Sequence, residues 1–168
     1  MNNEEVKLQS GQGYYIGVKM IKARKAWMVN GNDIIYDLNH KINDNDFVDE
    51  GYEVYEGYEV EYSDDYKSFL PKDVFEKAYY QILDPTKISE GDVLGFMKQG
   101  YSLRLGEKTT VVLDTTITGF DTIGTSACVN PNNYDHAIGE GIARRDIKDK
   151  IWGHLGFVLQ WAINGLKR

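Results

Sequence analysis

Lys108-Thr-Thr-Val-Val-Leu-Asp-Thr-Thr-Ile-Thr118, Gly119, Phe120-Asp-Thr-Ile-Gly-Thr-Ser-Ala-Cys-Val129 and Asn130-Pro-Asn-Asn-Tyr-Asp135 form the stretch that decides the fold. Side chains alternate as far as Val129, and beyond Tyr134 the apolar period changes from two to about 3.6, the pattern of strand, turn and helix. Val111, Leu113, Thr115 and Ile117 share one strand face, and Ile123, Thr125, Ala127 and Val129 share another. Thr118-Gly119-Phe120-Asp121 is a hairpin turn, because only glycine takes positive φ at little cost. The spacing predicts a helix from Tyr134 to about Asn164. Ala143, Ile147, Ile151 and Leu155 form its stripe, continued by Val158, Leu159, Ala162 and Leu166. Asn132 or Asn133 is expected to cap it, with Pro131 preventing an earlier start.

Working outward, 168 residues suit one domain or two small ones, and 42% apolar with 12% aromatic content is globular. No run is long enough to cross a membrane, and no leader of the secretory kind is seen. The single cysteine, Cys128, fits a reducing cytoplasm. Charge is uneven: residues 1–84 carry 17 acidic and 9 basic side chains, and residues 85–168 carry 9 and 10. Asp44 to Asp65 holds ten carboxylates and no Lys or Arg, which disfavours duplex nucleic acid as a partner.

In chain order, residues 1–13 read as a flexible N-terminus. Residues 14–84 read as an acidic α+β module and 85–168 as a hairpin plus long-helix domain. Tyr14 to Val29 is extended, with Ile16, Val18, Met20 and Trp27 as inward anchors beside a basic cluster of Lys19, Lys22, Arg24 and Lys25. Gly31 to Asp49 reads as a long loop. Gly51 to Tyr62, containing Gly-Tyr-Glu-Val twice, reads as a strand or hairpin. Pro71 opens a helix bearing Val74, Phe75, Ala78, Tyr79 and Ile82, and Leu83 to Thr86 is the linker candidate. Ser89-Glu-Gly-Asp92 resembles a capping box for a short helix stopped by Gly100, before a strand from Tyr101 to Leu105. The fold class is therefore α+β: small antiparallel sheets packed by helices, with a long C-terminal helix.

His40, His136 and His154 have no ligand-like spacing with Cys128, so no metal, cofactor or catalytic group is assigned. Glu140–Arg144, Arg145–Asp149 and Asp146–Lys150 are i,i+4 pairs, whereas Lys148 has no acidic residue at that spacing. Arg144 and Lys148 present positive charge from one side of the helix. At the helix entrance Asn132 and Asn133 bring amides, and Phe120 and Tyr134 bring ring faces on which a base stacks. An ordinary solvated helix explains the same charges, and capping alone explains the asparagines.

Thr109-Thr-Val-Val, Gly119-Phe120, Gly124-Thr-Ser-Ala-Cys-Val-Asn-Pro-Asn-Asn-Tyr-Asp135, Ile138-Gly139 and Ile147-Lys-Asp-Lys-Ile-Trp152 together resemble a small phage early-protein family named after a podovirus gene-forty-nine product. The resemblance covers about residues 88–160. It departs at Gly153-His154-Leu155-Gly156, where the family usually carries a Glu-containing run. Residues 14–82 resemble a second phage module, through Tyr15-Ile-Gly-Val-Lys19, Asp49-Glu-Gly-Tyr-Glu-Val54 and Tyr66-Lys-Ser-Phe-Leu-Pro-Lys-Asp-Val-Phe-Glu-Lys-Ala-Tyr79. That module precedes other small phage domains, including one similar to the second type of Thoeris anti-defence protein. A sheet followed by C-terminal helices is also similar to the first type, whose members are non-enzymatic nucleotide sponges.

The resemblance implies a phage accessory protein of the host cytoplasm, a homo-oligomer that sequesters a cyclic ADP-ribose isomer or cyclic oligonucleotide without cleaving it. Phe120 or Tyr134 is expected to stack, Asn132 and Asn133 to read polar edges, and Arg144 and Lys148 to hold phosphate. Three rivals stay open: an acidic protein-binding inhibitor of a host enzyme, a hydrolase of the same nucleotides, and an accessory module whose only role is oligomerisation.

Overall fold

The computed structural model describes residues 16–29, 31, 33–35 and 53–167. Among these residues, two antiparallel sheets and three α-helices make an α+β fold. The first sheet has the order β2-β1-β3-β4, from β1 (Lys22–Val29), β2 (Asp33–Ile35), β3 (Val54–Glu61) and β4 (Lys67–Pro71). The second copy of Gly-Tyr-Glu-Val, Gly57 to Val60, falls within β3, which pairs with β1 on one side and β4 on the other; the first copy begins outside the described residues. Inward anchoring comes from Ala26, Val29 and Val60. Ile16, expected inside, is 83% exposed. A strand, β2, occupies part of the expected Gly31–Asp49 loop; most of that loop lies outside the described residues.

Helix α1 (Lys72–Ala78) follows Pro71 and lays Phe75 on Tyr58 of β3, ring centroids 3.9 Å apart. It stops at Tyr79, so Ile82 is not part of it. Helix α2 (Glu90–Phe96) starts with the expected capping box: Ser89 accepts from the Asp92 N–H, and Asp92 accepts from the Ser89 N–H. Asp92 also accepts the Leu83 N–H, which fastens the expected linker to α2.

The second sheet, β5-β6-β7, comprises β5 (Met97–Leu105), β6 (Thr109–Thr116) and β7 (Asp121–Ala127). Gly100 does not end α2. The strand begins directly at Met97, and an irregularity between Lys98 and Tyr101 makes Gly100 part of a bulge. Gly119, at φ +83°, turns β6 into β7 as expected.

Helix α3 (His136–Asn164) is preceded by a 3₁₀ turn at Pro131–Asn133. Its cap is neither Asn132 nor Asn133: Asp135 accepts from the Ile138 N–H, and Asn130 caps the 3₁₀ turn through the Asn132 N–H. Pro131 starts the tighter turn, which leaves Asp135 as the first side chain aimed at the free N–H groups of α3. Ala143, Ile147, Ile151 and Leu155 pack with Val93 and Val112 to form the core.

The strand faces are turned the other way from a simple hydrophobic reading. Thr110, Val112, Asp114 and Thr116 lie buried under α3, with Thr122 and Gly124 of β7. Gly124 permits this, since a Cβ there would lie 2.1 Å from the Ala143 carbonyl oxygen. The small face admits the helix backbone, and the larger Val111, Leu113 and Ile123 face away.

Candidate functional site

A continuous set of polar contacts ties the start of α3 to β5 and β6. Tyr134 Oη lies 3.1 Å from Thr110 Oγ1 and 2.9 Å from His136 Nδ1. His136 Nε2 lies 2.9 Å from Ser102 Oγ, which donates to Glu140 Oε2 at 3.0 Å. Glu140 Oε1 accepts from Arg144 Nε and Nη2 at 3.0 and 2.8 Å. Arg144 Nη1 donates to Asp114 Oδ1, which also accepts the Gly100 N–H. The bulge at Gly100 thus turns a backbone donor onto a carboxylate that is only 3% exposed.

Chemically the set is a clasp. A hydroxyl has one proton, and that of Ser102 is directed at Glu140, so His136 supplies Nε2–H to Ser102 and accepts the Tyr134 phenolic proton at Nδ1. In that arrangement His136 is not poised to deprotonate Ser102. Hydrogen bonds from Arg144, then from Ser102, hold the Glu140 carboxyl below its ordinary value. Burial works against the charge of Arg144, but its bonds to Asp114 and Glu140 outweigh this and raise its pKa.

The residues expected to bind ligand are not gathered in one place. Asn133 and Tyr134 border a cavity of about 80 Å³ between α3 and the open end of the hairpin, together with Lys108, Ser126 and Ile142. Asn132 is exposed beside it, its N–H given to Asn130 Oδ1. One face of the Tyr134 ring is taken by Arg104, whose guanidinium carbon lies 4.3 Å from the centroid. Phe120 sits at the hairpin tip, edge-on to His154 at 5.9 Å, remote from the helix entrance. Arg144 is committed to Asp114 and Glu140, and Lys148 to Glu90 at 2.7 Å.

A cleft of about 730 Å³ opens elsewhere, between the β3–β4 turn, the residues leading into β1 and the end of α3. Lys19, Lys22, Tyr62, Tyr66, Thr86 and Ile163 are among its lining residues. Tyr62 and Tyr66 stack at 5.9 Å with 28° between ring planes, and Lys19 Nζ lies 5.3 Å from the Tyr62 centroid. Tyr66 is 63% exposed. Lys22 is paired with Glu61, whereas Lys19 has no carboxylate partner among the described residues. Asp64 and Asp65 stand at the rim. The sequence shows Lys19 in a basic cluster and Tyr66 before a helix, but no spacing rule connects them across 47 positions.

Residues 71–163 match the model of the Phage protein (N4 Gp49/phage Sf6 gene 66) family, a match that spans more than half of the chain. The chain belongs to that family. The match begins inside the segment assigned from sequence to the first module, and it takes in α1, α2, the second sheet and α3 almost to its end. The polar clasp of this Gp49/gene 66 family protein lies wholly inside the matched region, and most of the large cleft's lining lies outside it. No curated protein and no solved structure matches the chain. Among the described residues, no helix of the family protein is long and apolar enough to cross a membrane, and no group of three or more His, Cys, Asp or Glu is placed to hold a metal.

Proposed function

We propose that this phage protein acts in the host cytoplasm by capture, not catalysis: it sequesters a small nucleotide immune signal, a cyclic ADP-ribose isomer or cyclic oligonucleotide. The observation that carries the reading is the 730 Å³ cleft with an exposed Tyr66 ring and the Lys19 ammonium. Ligand pockets usually run from about 300 to 1,000 Å³. The cavity at Asn133 and Tyr134, about 80 Å³, admits at most a fragment such as one phosphate. Ring stacking and a cation with no carboxylate partner among the described residues suit a base and a phosphate, while Asp64 and Asp65 restrict where the phosphate lies.

The acidic-mimic rival draws less support. Among the described acids of the Asp44–Asp65 run, Glu56 is paired with Lys72, Glu59 with Arg24, and Glu61 with Lys22 and Lys67. Paired carboxylates lining a sheet make a poor imitation of a bare phosphate backbone. The hydrolase rival rests on the contact between Ser102 and His136, where the serine proton points to Glu140.

Calorimetry against cyclic ADP-ribose isomers and cyclic di- and trinucleotides tests the proposal. Heat is expected with at least one of them, and mass spectrometry of the recovered ligand should find it intact. Base stacking is worth about 1–3 kcal/mol, so Tyr66→Ala should weaken binding by about 5- to 150-fold. Silence with every nucleotide, or recovery of a cleaved product, removes the reading.

A further inference from the structure

Among the described residues, no element packs on the face of the second sheet turned away from α3. The rows of that face follow from the strand register: Tyr101, Leu113 and Ile123; then Leu103, Val111 and Thr125; then Leu105, Thr109 and Ala127. Tyr101, Leu105 and Ile123 each leave more than half of their surface in water, and Leu103 leaves 42%. No charged side chain occurs in these three rows. A contiguous apolar face of this kind marks an interaction surface.

We propose that this face packs against the same face of a second copy of the chain, about a two-fold axis running parallel to β6. Two features favour a copy of the chain over another partner. Such an axis lays β5 of one copy over β7 of the other, since the two strands flank β6 on opposite sides. The β5 side carries Tyr101, Leu103 and Leu105 and the β7 side Ile123, Thr125 and Ala127, so Tyr101 of one copy lies over Ile123 of the other, and Leu103 and Leu105 over the smaller Thr125 and Ala127. The rotation therefore sets bulk against space twice, as an isologous interface requires.

Charge supplies the second feature. The row beyond Tyr101 is Lys98, Thr115 and Asp121, with opposite charges at its two ends. Neither Lys98 nor Asp121 has an ion-pair partner among the described residues; Asp121 accepts only from Thr115 Oγ1, at 2.7 Å. The same rotation places Lys98 of each copy opposite Asp121 of the other. Three strands at about 4.8 Å spacing and four rows about 7 Å apart give a patch of roughly 300–400 Å² per copy, the size of a weak interface. Edge-to-edge pairing is less available, because Lys150 donates to the Ile123 carbonyl on β7 and the bulge interrupts β5.

Sedimentation of the ligand-free protein tests this independently of any nucleotide. The wild-type chain should be a dimer at micromolar concentration. Lys98→Glu and Asp121→Lys, each made alone, should raise the dimer dissociation constant at least about tenfold at low salt. Their far-ultraviolet circular dichroism should match wild type, because both positions are exposed in the single chain. Mixing the two variants should give a heterodimer, and the double variant should dimerise with itself again. A monomeric wild type overturns the proposal, as does a dimer indifferent to both changes or a loss that neither mixing nor the double variant repairs.

Discussion

Arg144 stands between two carboxylates of different depth. Asp114 is buried on the helix-facing side of β6, and Glu140 is one turn earlier on α3. Removing one partner of a buried pair leaves the other uncompensated, a cost of about 3–5 kcal/mol. Because the Arg144 side chain keeps 21% exposure, Arg144→Ala is expected near the lower end, about 3 kcal/mol in urea unfolding. Arg144→Lys should recover only part of this, since a single ammonium cannot address two carboxylates with the fork that Arg144 uses. A change in stability below about 1 kcal/mol would show that water reaches Asp114. The i,i+4 spacing of Glu140 and Arg144 is legible in the sequence. The bond to Asp114, thirty positions earlier, is not, because it needs the sheet beneath the helix. For the same reason Arg144 looked available to a ligand.

At the scale of the element, α3 buries Ala143, Ile147, Ile151, Leu155 and Leu159 where the spacing places them. Val158 is exposed, and Leu166 lies exposed beyond the helix end, where no sheet remains beneath. The seat of α3 on the sheet depends on single glycines. Gly124→Ala would drive a methyl toward the Ala143 carbonyl and separate helix from strand. Overpacking of this sort costs about 1–3 kcal/mol. Gly153 and Gly156 of α3 have nothing within 4 Å of an added Cβ. Gly153→Ala and Gly156→Ala should therefore stabilise the helix by about 0.5–1 kcal/mol each. Opposite signs in thermal melts are the check, and a stabilising Gly124→Ala would contradict the packing described. The capping box at Ser89 and Asp92 and the turn at Gly119 were readable because each needs only a few neighbouring residues. The cap of α3 is not legible in the same way, because the 3₁₀ turn at Pro131–Asn133 moves the N-cap on to Asp135.

For the molecule as a whole, acid sensitivity follows from carboxylates held below their ordinary values. Glu61 is held by Lys22, Asp84 by Thr86, Glu90 by Lys148, Asp92 by Ser89 and Glu140 by Arg144. Such groups bind protons more readily in the unfolded chain, so the stability they supply is full above unfolded values of 3.8–4.5 and is lost as pH falls through the folded ones. Lys22 and Lys72 are raised, by bonds to Glu61 and Glu56, and their contribution fades only as pH rises past 10.5. Equilibrium unfolding should thus show a plateau from about pH 5 to 10 for these groups, and a fall below about pH 4.5. A stability maximum below pH 4 would contradict the pairings.

Period, turn residues and capping patterns depend on neighbours within about four positions, so the sequence alone determined the hairpin, the long helix α3, the presence of the two short helices, the α+β class and the family resemblance that the Gp49/gene 66 match supports. Which face of the hairpin meets the helix was decided only in three dimensions. Alternation gives two faces without saying which is inner, and here close approach through Gly124 outweighed the greater hydrophobicity of the other side. That choice buried Asp114, drew Arg144 onto it, and left Tyr101, Leu103 and Ile123 facing water.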